Sequence, residues 1–132
     1  MPSFPRGWVS RVEEEIPLKK ALKEQGALGK EILQEMAEAL GNSGERLERA
    51  IAVLEESSAK ISSLLAALER TSSERQRRKL EEKIRAEAAN YNHLRKEALE
   101  HLRWLIIHRE ALGMRSHGLV AEKYKIPPPF RF

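Results

Sequence analysis

Residues 69–75, ERTSSER, stand between two long runs of helical periodicity, and the brevity of this link decides the fold. Upstream, Leu47, Ile51, Leu54, Ser58, Ile61, Leu65 and Leu68 recur on alternating four- and three-residue steps, the seam of a helix that packs along a partner. Ser58 reads as a packing residue in that seam. Downstream, Leu80, Ile84, Glu87 or Ala88, Tyr91, Leu94, Ala98, Leu102, Leu105 and Leu112 trace one stripe at about 100° per residue. Thr71 with Glu74 is the capping signal that opens this second run, and Gly113 closes it. A connection this short forces antiparallel neighbours, so residues 45–70 and 74–112 are expected to form a long helical hairpin.

Working outward from the hairpin, Leu22, Leu28, Ile32, Met36 and Leu40 recur at helical intervals and predict an additional N-terminal helix over 18–40. Gly41 is the expected stop. Asn42 with Glu45 then makes a second capping signal that starts the next helix at 45. Gly26 and Gly29 weaken the first helix, so they mark a bend or let another helix approach closely. The whole reads as all-α, a three-helix bundle of coiled-coil-like seams. Residues 1–17 form an N-terminal arm and 114–132 a Pro-rich tail, stiffened by Pro127, Pro128 and Pro129 into extended polyproline backbone.

Composition agrees with that class. The 132 residues are 33% charged and only 5% aromatic, the mix of long helices rather than sheets. All 20 acidic residues are Glu, which suits helix interiors, whereas Asp prefers caps and turns. There is no Cys, which removes disulfides, thiolate metal sites and cysteine nucleophiles. The opening MPSFPRGWVSRVEEE lacks the apolar core of a secretory signal, and no run is long enough to cross a membrane. A soluble cytoplasmic protein is the expectation. The net charge is +4, and the positive excess lies wholly in residues 71–132, with 14 basic against 8 acidic side chains.

Three surfaces are candidates for function. Glu45 should lie opposite residue 99, so 100–112 would project past its partner helix. This overhang, HLRWLIIHREALG through Gly113, is apolar nearly all round. It must be covered by the first helix and arm, by a second copy, or by another protein. Trp104, Ile107 and Arg109 there, with Trp8, Tyr124, Phe130 and Phe132 in the arm and tail, are the expected interface residues, since aromatics dominate interface energetics. Arg109 falls on the core-facing stripe and should find a carboxylate from the first helix or arm.

The hairpin tip supplies the second surface, with Arg75, Arg77, Arg78, Lys79, Lys83 and Arg85 as candidate nucleic-acid contacts. Phosphate attraction is possible there, but no aromatic stands nearby in sequence to stack on bases. The third is a polar stripe, His93, Glu97 and His101, whose residue types are ordinary zinc ligands. It is a weak metal candidate, because it lies beside the apolar face rather than inside a bundle. No cofactor is implied. No nucleophile elbow, phosphate-cradling loop or zinc-protease motif is present, so an enzyme is not expected. In architecture alone, a hairpin of this size is similar to export chaperones and coiled-coil adaptors. The expectation is a non-enzymatic protein interaction module that binds a partner or itself as a homodimer, with nucleic-acid binding as the alternative.

Overall fold

A computed structural model of the chain describes residues 16, 17 and 19–132. They are all-α, with four helices in order: α1 Lys19–Glu24, α2 Ala27–Arg70, α3 Glu74–Ala111 and α4 Gly118–Lys123. The two long helices pack against each other as a helical hairpin, preceded by the short α1. The chain divides into two compact units, residues 50–99 with 126–132, and residues up to 49 with 100–125.

In the unit of residues 50–99 and 126–132, the core is the hairpin seam. Leu54, Ile61, Tyr91 and Ala98 are buried together, with Ala50, Leu65, Leu94, Ile126 and Phe130 packed on them. Each fully buried Leu or Ile contributes roughly 1.5–3 kcal/mol relative to exposure. The one polar member of the seam is Ser57, 2% exposed, whose hydroxyl donates to Glu87 Oε1 at 2.7 Å. Ser58 is exposed, so the seam passes one residue earlier than the periodicity suggests.

At the tip, Thr71 closes α2 instead of opening α3. Its hydroxyl donates to the Ala67 carbonyl at 2.7 Å. The Arg77 guanidinium adds bonds to the carbonyls of Leu68 at 2.8 Å and Thr71 at 3.0 Å. A helix C-terminus leaves carbonyls without intrahelical donors, and a cation there also opposes the negative end of the helix dipole. α3 starts at Glu74 as expected, with the Arg77 N–H bonded to the Ser73 carbonyl at 2.9 Å.

In the other unit, the expected break between first and second helices is absent. α2 is 44 residues long and runs through Gly41-Asn42-Ser43-Gly44 without interruption. Two glycines cost a helix roughly 1 kcal/mol each against Ala, yet Gly41, Ser43 and Gly44 are all buried. Burial of a helix face outweighs local propensity. The Ser43 hydroxyl is also hydrogen-bonded to His108 Nδ1 of α3. The break falls earlier instead, at Gly26, whose φ of +75° ends α1. Gly29 takes the close approach: a Cβ there would collide with the Leu22 carbonyl.

α3 ends at Ala111 and is closed by a turn at Gly113, φ +84°. The Gly113 N–H bonds to the Glu110 carbonyl and the Met114 N–H to that of Arg109, both at 2.9 Å, the paired closure that a left-handed residue permits. Ile16, Leu33, Ala37, Leu40, Leu47, Leu105, Leu112, Met114, Val120 and Tyr124 are the buried apolar residues described in this unit.

Candidate interaction surfaces

The lengthened α2 alters the reading of residues 100–112. Because α2 begins at Ala27, residues 27–49 share a unit with 100–111, and Leu105 and Leu112 are buried within the chain. The segment is therefore no bare overhang. What stays outside is one edge of α3: Trp104 is 50% and Ile107 42% exposed, with Ala111 exposed one turn on. Steps of three and four residues put these three on one helical face. Beside that face, Ser43, Arg46, His101, Trp104 and His108 line a cleft of about 300 Å³, and the Trp104 indole leans on the His108 ring at 6.0 Å between centroids.

Among the described residues Arg109 meets a carbonyl and no carboxylate, and the glutamates of the arm expected to pair with it lie outside those residues. The Arg109 Nη2 donates to the Ser116 carbonyl at 3.0 Å, and its Nε is buried without a partner. The turn at Gly113 brings the 114–117 backbone back within reach, so a carbonyl takes the guanidinium. Tyr124 is buried and its hydroxyl lies 3.5 Å from Glu48 Oε1. Burial first, then the Glu48 charge, raises the Tyr124 phenol above its ordinary value. This tail aromatic is a core residue rather than an exposed anchor. Trp8 lies outside the described residues.

The last seven residues dock on the hairpin. The Arg95 Nε donates to the Pro127 carbonyl at 2.8 Å and the Tyr91 hydroxyl to that of Pro128 at 3.0 Å. Asn92 grips Phe130 on both sides of its backbone. Its Nδ2 donates to the Phe130 carbonyl and its Oδ1 accepts from the Phe130 N–H, each at 2.9 Å. The Phe130 ring meets Tyr91 edge-on at 6.5 Å, and Phe132 stacks on Phe130 at 6.4 Å. Phe130 and Phe132 stand out in the sequence as tail aromatics, whereas Tyr91, Asn92 and Arg95, which receive the tail, do not. The available signal was indirect: Tyr91 sits on the core stripe, where its hydroxyl needs a partner, and prolines leave carbonyls that backbone cannot pair locally.

The basic tip is partly spoken for. Arg77 is engaged with α2 carbonyls, and Arg78 pairs with Glu74 at 3.1 Å. Arg85 lies 5.9 Å from the centroid of the Phe132 ring, which supplies the aromatic missing from the local sequence. Lys79 and Lys83 border a shallow depression with Ala67, Thr71, Gln76 and Leu80, and Arg75 is exposed. On the polar stripe, His93 Nε2 is 3.1 Å from Glu97 Oε1, while His101 belongs to the cleft beside Trp104. Among the described residues no three His, Cys, Asp or Glu side chains are grouped to hold a metal ion. Nor is any helix among them long and apolar enough to cross a membrane.

Fold and surfaces together define an all-α hairpin protein. Comparison with protein-family models, curated proteins and solved structures finds no match to the chain.

Proposed function

We propose that this chain is a non-enzymatic helical interaction module that pairs with a second copy of itself through the α3 face carrying Trp104 and Ile107. The observation behind this reading is the exposure of those two side chains, 50% and 42%, after the rest of the apolar segment has been covered internally. Aromatic and large aliphatic residues on a helix edge are what a partner helix would bury. Opposite charges edge the stripe, Glu100 and Arg103 on one turn and Glu110 on the next. A two-fold contact places the same patch against itself, so a surface carrying both signs can satisfy its own complement. Three residues make a small patch, and small interfaces bind weakly and transiently.

Acrylamide quenching of Trp104 tests the site. The chain has two Trp, so a Trp8→Phe background leaves Trp104 as the only reporter. Its accessibility to quencher is expected to fall as protein concentration rises. Unchanged quenching over a range in which the mass doubles would move the association to another face.

A further inference from the structure

We propose that the hairpin groove bordered by Tyr91, Asn92 and Arg95 is a receptor for an extended proline-rich segment of another protein, with the chain's own residues 126–132 as its resident occupant. The groove is built from different residues than the Trp104–Ile107 stripe.

Recognition of this tail is directed at main chain. Four hydrogen bonds from Arg95, Tyr91 and Asn92 reach the carbonyls of Pro127, Pro128 and Phe130 and the N–H of Phe130. None of them reads a side chain. An extended proline-rich backbone makes no internal hydrogen bonds and is already ordered, so a receptor that meets its carbonyls gains contacts at little entropic cost. Selectivity comes from the apolar positions at either end: Ile126 and Phe130 pack on the Leu54, Ile61, Tyr91 and Ala98 cluster. The matching ligand is an aliphatic residue, three prolines and an aromatic in sequence, the order found in IPPPF at 126–130.

The occupant is also shallowly held. Pro127, Pro128, Pro129, Arg131 and Phe132 are all exposed, so the tail rests on the hairpin through Ile126 and Phe130, the four hydrogen bonds and the Arg85 contact with the Phe132 ring. Its release uncovers only the side of the Leu54, Ile61, Tyr91 and Ala98 cluster on which Ile126 and Phe130 pack. Attachment to the same chain gives it an effective concentration on the order of millimolar, and an incoming peptide must compete with that. The tail then acts as a gate that favours ligands bearing better anchors or presented at high local concentration.

The test uses the full-length chain and a fluorescently labelled synthetic peptide, IPPPFRF, as probe. Phe130→Ala with Phe132→Ala weakens the resident tail while leaving the groove intact. That variant is expected to bind the peptide at least tenfold more tightly than the wild type, and adding Asn92→Ala is expected to cancel the gain. Equal binding by wild type and released variant, or a gain that survives Asn92→Ala, overturns the proposal. Should the released variant not fold, the wild type answers by NMR. Millimolar peptide is expected to narrow the Phe132 resonances as the tail detaches while the Asn92 side-chain amide stays shifted as in the tail-bound state. Phe132 resonances unmoved at that concentration overturn it equally.

Discussion

Ser57 shows how narrowly a sequence can miss. From Leu54 to Ile61, a serine at 57 gives steps of three and four, and one at 58 gives four and three, so both satisfy a helical seam. Periodicity cannot separate them, but burial does: Ser57 is enclosed and bonded to Glu87. Ser57→Ala should lower stability by about 1 kcal/mol, the usual worth of such a bond when water can still reach the acceptor. Ser58→Ala should leave it unchanged, and urea unfolding of the two variants compares them directly. The Ser57 bond is also the main cause holding the Glu87 carboxyl below its ordinary value, against the opposing effect of burial, with Asn90 and Lys60 helping. A carboxyl lowered on folding stabilises the fold above its unfolded value and loses that contribution as pH falls through the lowered folded value. The gap between wild type and Ser57→Ala should therefore be widest at neutral pH and shrink below pH 4 or so, where carboxylates take up protons. A constant gap across that range would remove the role assigned to Glu87. Arg109 was legible as a charge on the wrong face, yet its acceptor was not, because the Ser116 carbonyl is brought to it by a turn.

At the scale of elements, the hairpin could be read from the chain because two seams and a short link admit few alternatives. The start of α2 could not. Gly41, Asn42 and Glu45 form a good local stop and start, and only burial of Gly41, Ser43 and Gly44 carries the helix through. Gly26 and Gly29, two weak spots of equal standing in the sequence, hold separate roles, a positive-φ turn and a backbone contact. Gly29→Ala is expected to destabilise by about 1–3 kcal/mol, because the new methyl meets the Leu22 carbonyl and one of the helices must shift. Thermal unfolding followed by circular dichroism should show a clear fall in Tm, and an unchanged Tm would mean that α1 does not pack there. At the other end, Arg77→Ala strips two carbonyls of their donor and should cost on the order of 1 kcal/mol. Arg75→Ala, at an exposed neighbour, is the matched control and should cost nothing measurable.

For the whole molecule, the reading of unequal hairpin arms gives way to one of nearly equal arms, 44 and 38 residues. The apolar density of 101–113 suggested cover on more than one face, whereas Leu105 and Leu112 are buried and the Trp104–Ile107 edge stays exposed. The cover of the segment proved to be mostly the chain's own, because α2 extends back to Ala27. Of the expected interface residues, Trp104, Ile107 and Phe132 are exposed, Tyr124 and Phe130 are packed within the chain, and Trp8 lies outside the described residues. The seat of the tail had only an indirect signal in the sequence, since Tyr91 and Asn92 meet partners 37 and 38 positions away through contacts with no periodic signature. Self-association through the α3 face, as proposed, is measured most directly by light scattering across a concentration series. The wild type should rise in mass from 15.1 kDa toward twice that value, while Ile107→Glu, equally folded, should stay at the monomer mass throughout. A wild type that holds the monomer mass at the highest concentration, or an Ile107→Glu variant that dimerises as readily, would contradict it.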